Sequence, residues 1–205
     1  MIGVRVMLPT YVIWKPSTGA GYEHLAISES EEQLTVDSFV IGESEPDKLA
    51  RIQYEIVLDR SWATRKVSIR HWGGQKALCL LSDGNGQWTD EAGQPIAELA
   101  GCVDIDLSCT PFTNTLPIRR LAFTPNVPQE IDVAYFSAYE LTWRRVRQQY
   151  TLLASDADTA VFEYRAGAFV QNITVDANGL VLLYPELFVR ERPLAASGIE
   201  VEAGK

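Results

Sequence analysis

Apolar and polar residues alternate with a period of two along most of this chain. That period belongs to strands with one face in a core and the other in water, so the fold must be built from sheet. Ile52, Tyr54, Ile56 and Leu58 form one apolar face, and Thr35–Ile41 carries another. Ala63, Val67 and Ile69 lie opposite Lys66, Ser68 and Arg70. Ala77–Leu81 is a compact apolar run ending at Asp83-Gly84-Asn85-Gly86, a hairpin turn in which Asn and Gly accept positive φ. Gln87–Thr89 returns from that turn and meets a second one at Glu91–Gln94. Further strands are expected at Ile118–Phe123, Glu130–Phe136, Leu141–Leu153, Ala160–Tyr164 and Phe169–Val175. The last of these turns through Asp176–Gly179 into Leu180–Tyr184. Helical signal is confined to Leu25–Gln33 and Ile96–Ala100, neither long enough to form a layer.

The length of 205 residues suits one large all-β domain or two small ones, and 46% hydrophobic content is enough for a substantial core. No internal linker stands out. The expectation is a single domain over residues 1–193, followed by a flexible tail, Leu194–Lys205. Closure into a barrel or a strongly curved roll would remove exposed edges and could enclose a cavity. The N-terminal stretch lacks the charged and apolar regions of a signal peptide and is expected to be an early strand. There is no long apolar stretch for a transmembrane helix.

A formal net charge of -9 repels nucleic acid and disfavours anionic headgroups on an open surface, so a lipid-like ligand would need a pocket. The three cysteines, Cys79, Cys102 and Cys109, form no Cys-x-x-Cys pair and read as buried free thiols in a cytoplasmic protein. With only His24 and His71 and no ligand spacing, a metal site is not expected. No phosphate-cradling glycine motif is present, and no cofactor is expected.

Chemistry concentrates in Cys102–Leu121, CVDIDLSCTPFTNTLPIRRL. In a strand, Asp104 and Asp106 share one face with Ser108 and Thr110, and Val103, Ile105, Leu107 and Cys109 share the other. The two carboxylates would sit roughly 6–7 Å apart, a spacing that overlaps glycosidase geometry but arises on any alternating strand. They fit either a solvated strand face or a cavity mouth that accepts hydrogen bonds from ligand hydroxyls. Pro111 and Pro117 bracket an extended loop whose Thr113, Asn114 and Thr115 could recognise a polyol or cap the local backbone. Arg119 and Arg120 then point opposite ways along a strand, one pairing with an acid and the other solvated. The five tryptophans, Trp14, Trp62, Trp72, Trp88 and Trp143, could stack on a sugar ring or simply fill the core.

The run Gly101–Leu121, above all TPFTNTLPIRRL, resembles the signature of the bacterial putative glycolipid-binding family. Trp14, Glu23, Trp62 with Arg65, Asp83-Gly84 with Trp88, Asp104, Asp106 and Asp176 through Pro185 agree with it, so the resemblance spans nearly the whole chain. It implies a spiral β-roll or barrel-like fold and an amphipathic, glycolipid-like ligand. On that basis Trp14, Glu23, Arg65, Asp104, Asp106, Thr113, Asn114, Arg119 and Arg120 are the candidate ligand-binding residues, with none assigned to catalysis. A carbohydrate hydrolase using paired carboxylates and a structural protein without a small ligand remain alternatives. Neither nucleic acid nor an integral membrane segment is expected.

Overall fold

The computed structural model describes residue 8, residues 11–45 and residues 48–191. Seven strands run from the N-terminal side: β1 (Tyr11–Pro16), β2 (Gly21–Glu29), β3 (Gln33–Glu45), β4 (Lys48–Asp59), β5 (Thr64–His71), β6 (Ala77–Ser82) and β7 (Trp88–Asp90). After β8 (Asp104–Leu107) comes helix α1 (Thr115–Arg120), entered through a 3-10 turn at Phe112–Asn114. The remaining strands are β9 (Gln129–Ser137), β10 (Thr142–Ser155), β11 (Thr159–Ala166), β12 (Phe169–Asp176), β13 (Val181–Tyr184) and β14 (Phe188–Glu191). All fourteen form one sheet in the order β7-β6-β5-β4-β3-β2-β1-β14-β13-β12-β11-β10-β9-β8. The strands nearest the two ends of the chain, β1 and β14, therefore pair in the middle of the sheet.

The all-β, single-domain expectation holds. Closure does not: among the described residues no ladder joins β7 to β8. Single hydrogen bonds bridge the gap instead. Gly101 N–H donates to the Gly86 carbonyl at 2.8 Å, Trp88 Nε1 to the Cys102 carbonyl at 2.7 Å, and Thr64 N–H to the Val103 carbonyl at 3.4 Å. The Leu194–Lys205 tail and most of the N-terminal stretch lie outside the described residues.

The sheet curls so that its β8 edge turns inward. β8 pairs in parallel with β9, and Ile105 and Leu107 sit beside Ala134 and Phe136. These four residues are buried in a core shared with β1–β6, which includes Leu25, Val36, Ile56 and Ile69. The other face of β9 and β10 borders a second cluster around Tyr150, Phe162, Tyr164 and Ile173. On β8, Asp104 is as deeply buried as Ile105 and Leu107, each about 1% exposed. Such a strand cannot be the half-solvated ladder that alternation alone suggests.

Two local assignments are corrected. Leu25–Gln33 is not helical but runs through β2 into β3, because Leu25 and Ile27 keep the period-two phase of an inward face. Ile118–Phe123 is not a strand, since Thr115–Arg120 is helical and Leu121 returns to extended backbone. Pro117 occupies the first turn of α1, where no intrahelical N–H bond is lost. Burial of Leu116 and Pro117 outweighs the usual bias against helical geometry before proline. Gly179, at φ +75°, lets the β12–β13 turn approach the helix closely; a Cβ there would lie 3.2 Å from Ile118 Cγ2 and Arg119 Cγ. Ile96–Ala100 contains only the 3-10 turn Ala97–Leu99.

Because Ile105 is buried in the core shared with β1–β6, Ile105→Ala should lower unfolding stability by about 2–5 kcal/mol. Urea unfolding followed by tryptophan fluorescence and by circular dichroism should give one shared, shifted transition; separate transitions would mean the two halves fold independently.

Candidate functional site

The inward phases of three neighbouring strands each carry a polar group where an apolar one is expected. On β2, Glu23 is in phase with Leu25 and Ile27; on β3, Ser38 is in phase with Val36 and Val40; on β4, Tyr54 is in phase with Ile52 and Ile56. Ser38 lies opposite Leu25 on one side and Tyr54 on the other, so the three polar side chains form a cluster across the sheet. The Tyr54 hydroxyl donates to Glu23 Oε1 at 2.5 Å, and Ser38 Oγ donates to the same oxygen at 2.8 Å. Thr110 Oγ1 lies 3.1 Å from the Tyr54 phenol oxygen, linking the cluster to the central run.

The second Glu23 oxygen, Oε2, is buried without a hydrogen-bond partner. Burial, opposed by the neighbouring hydroxyls of Tyr54, Thr110 and Ser38, pushes the Glu23 pKa up to about 7. The residue lines a cavity of about 270 Å³ with Trp14, Val40, Gly42, Cys109, Tyr139 and Phe188 among its neighbours. Trp14 lies directly across from Glu23 on β1, and its Nε1 donates to the Val181 carbonyl at 2.8 Å, which fixes the indole as a wall. The rim includes the exposed apolar residues Tyr22, Ile41 and Leu187. The cavity thus has apolar walls around one buried acid, with the exposed Lys15, Glu43 and Glu186 also in its lining, and it opens beside exposed hydrophobic groups.

Of the candidate residues, Trp14 and Glu23 come together here. Asp104, Asp106, Thr113, Asn114, Arg119 and Arg120 have protein partners of their own, whereas Thr115 Oγ1 beside them is buried without one. Arg120 grips Asp104 with a fork, Nε to Oδ1 at 3.0 Å and Nη2 to Oδ2 at 2.5 Å. Asp106 accepts from Gln148 Nε2 at 2.6 Å and from Thr113 Oγ1 at 3.4 Å, and burial raises its pKa. Asn114 donates to the Pro111 carbonyl at 3.1 Å and accepts from the Tyr150 hydroxyl at 2.9 Å, organising the turn into α1. Arg119 points the other way from Arg120, stacks 4.4 Å over the Trp62 ring and donates to the Asn178 carbonyl. Arg65 belongs to neither group; it is exposed near Asp59, at 3.6 Å.

Tyr54, Ser38, Cys109 and Tyr139 are site residues that the sequence reading did not single out as such. For Tyr54 and Ser38 the signal was available: a hydroxyl on an apolar phase in each of two adjacent strands, beside a third strand with an acid in phase. Tyr139 sits in the β9–β10 turn, where no periodicity speaks. Among the described residues, no group of three His, Cys, Asp or Glu side chains could hold a metal. The three cysteines are free.

The profile of the putative glycolipid-binding family matches residues 11–190. The chain belongs to that family. It is also similar to a solved structure, a DUF1089 family protein from Pseudomonas aeruginosa, with 34% sequence identity and a TM-score of 0.73 over 85% of this chain and 94% of the other. No curated protein matches the chain.

Two outcomes are expected for this family member. Arg120→Met leaves the Asp104 carboxylate buried without its fork and should cost about 3–5 kcal/mol in urea unfolding. Glu23 binds its proton more tightly folded, near pH 7, than unfolded, near 4.5. Its contribution to stability is therefore fully present below about pH 4.5 and lost as pH rises through 7. Between pH 5 and 8 wild type should lose on the order of 3 kcal/mol relative to Glu23→Gln, and parallel stability profiles would refute the shift.

Proposed function

We propose that this protein binds a glycolipid or similar amphipathic molecule without chemically altering it, with Trp14 and Glu23 at the site. The observation that carries this reading is the unpartnered Glu23 Oε2 in an apolar-walled cavity. A buried oxygen without a donor is costly, and a ligand hydroxyl supplies one. The aromatic and aliphatic lining suits the apolar part of the same molecule, as in most small-ligand sites. The family description supports the ligand class. No described helix is long and apolar enough to cross a membrane. The free thiols support the cytoplasm as the compartment.

A hydrolytic reading draws on the same acid, whose raised pKa suits proton donation. Glycoside cleavage also needs a second carboxylate about 5–9.5 Å away, ionised and free to act. Asp104 is committed to Arg120 and Asp106 to Gln148 and Thr113, while Glu43 and Glu186, the other carboxylates of the cavity lining, are solvent-exposed, which favours binding over hydrolysis.

The test uses dodecyl maltoside, which joins a neutral sugar to one alkyl chain, in calorimetric titration. Wild type should bind it and release no free sugar. Gly42→Val fills the space before Tyr139 Oη, which would stand 3.4 Å from the first added carbon. That variant should keep a near-native melting temperature and bind several-fold more weakly. Equal affinity in the two proteins would remove the cavity from the binding site.

A further inference from the structure

Where the curled sheet leaves its seam open, a groove of about 1120 Å³ lies between the β4–β5 end and the β9–β10 hairpin. His71 Nε2 bridges the banks by donating to the Ala138 carbonyl at 2.9 Å. One bank presents Arg51 and Trp72, the other Tyr135, Trp143 and Arg144. Trp72 is packed against Phe39 and Arg70 and is still 51% exposed. Arg144 lies 5.1 Å over the Tyr135 ring.

The arginines distinguish this groove. Every other described arginine ion-pairs with or donates to an oxygen: Arg60 to Glu29, Arg65 to Asp59, Arg70 to Gln53, Arg119 to the Asn178 carbonyl and Arg120 to Asp104. Arg145 and Arg147 share Asp132, Arg165 holds Glu163, and Arg190 holds Asp176. Arg51 and Arg144 have no such partner among the described residues, and both line the groove. The other charged lining groups are His71, whose ring serves the bridge, and Glu140. In a chain of net charge -9, two uncommitted guanidinium groups beside the exposed indole of Trp72 are a local reversal of sign.

We infer that this groove binds a phosphorylated sugar, its ring against the aromatic side chains and its phosphate between Arg51 and Arg144. Guanidinium forks match phosphate oxygens in geometry and charge, and aromatic side chains offer an apolar face with a polar edge to a sugar. Tyr139 lines both the groove and the Glu23 cavity. The β3 residues Ile41 and Gly42 at the cavity pair with Arg51 and Ala50 at the groove. The two spaces are therefore neighbours, and the phosphorylated sugar is the head of the amphipathic ligand. That last step rests on the proposed binding function; the sugar-phosphate site itself does not.

Titration of the full chain with glucose 1-phosphate, glucose and inorganic phosphate, followed by tryptophan fluorescence and calorimetry, tests the site. Glucose 1-phosphate should bind more tightly than either fragment, and more weakly as salt rises. The double variant Arg51→Gln with Arg144→Gln should bind it roughly tenfold or more weakly at an unchanged melting temperature. No binding, equal binding of any fragment, or equal binding by the double variant would overturn the inference. Dodecyl maltoside separates the two sources of the sugar phosphate. Competition between it and glucose 1-phosphate identifies a lipid head. Binding of glucose 1-phosphate to a protein that ignores dodecyl maltoside identifies a free sugar phosphate, and the cavity reading then fails while the groove site stands.

Discussion

A forked hydrogen-bonded pair between Arg120 and Asp104 holds a short buried strand inside a sheet that has curled over it. Asp104 on that strand is about 1% exposed, so its carboxylate is cut off from water and is matched by charge. Arg120 can do this because α1 brings it back over the strand sixteen residues later. The same reversal seats Thr113 against Asp106 and Asn114 against Tyr150. It also delivers Thr110 to the phenol of Tyr54, and so connects the middle of the chain to the acid on β2. The central run and the cavity are thus joined through the contact between Thr110 and Tyr54 and through Cys109 in the cavity lining.

The acids in this interior are in different chemical situations. Asp104 has a cation at its oxygens, and Asp106 has an amide and a hydroxyl. Glu23 has two hydroxyl donors on one oxygen and nothing on the other. Neutral donors only partly offset the cost of burying a charge, which is why burial carries the Glu23 pKa up to about 7 and raises that of Asp106 as well. A group half protonated near neutrality can accept from a ligand hydroxyl in one state and donate to one in the other. Placed against Trp14 and Tyr139, it is the buried acid of a lining whose other carboxylates, Glu43 and Glu186, are exposed.

Most strands were legible in the sequence because one inward face per strand leaves a period of two, as in Ile52–Leu58 and Phe169–Val175. The curl was not, because β8 is buried on both sides and its alternation of Asp and apolar residues mimics a solvated edge. Its acids are inside for a reason found at Arg120, on a helix that the sequence divided between an extended loop and the strand expected at Ile118–Phe123. Trp14 and Glu23 were named as site residues through the family resemblance, yet the phase of Glu23 with Leu25 and Ile27 already marked it as inward. Asp104, Asp106, Thr113, Asn114 and Arg120 were legible as a group but not as a network separate from the cavity. Tyr139 and the unpaired state of Arg51 and Arg144 depend on contacts across the seam, between residues some eighty or more positions apart, which no local pattern encodes.

The titration of the Glu23 side-chain carboxyl, followed by carbon NMR with and without dodecyl maltoside, bears most directly on the buried acid as a ligand contact. In the free protein the signal should titrate near pH 7, and saturating detergent should move both its chemical shift and its midpoint while Glu55 and Glu163, away from the cavity, stay unchanged. A Glu23 signal that titrates near 4.5, or one that ignores bound detergent, would contradict a buried acid waiting for a ligand hydroxyl.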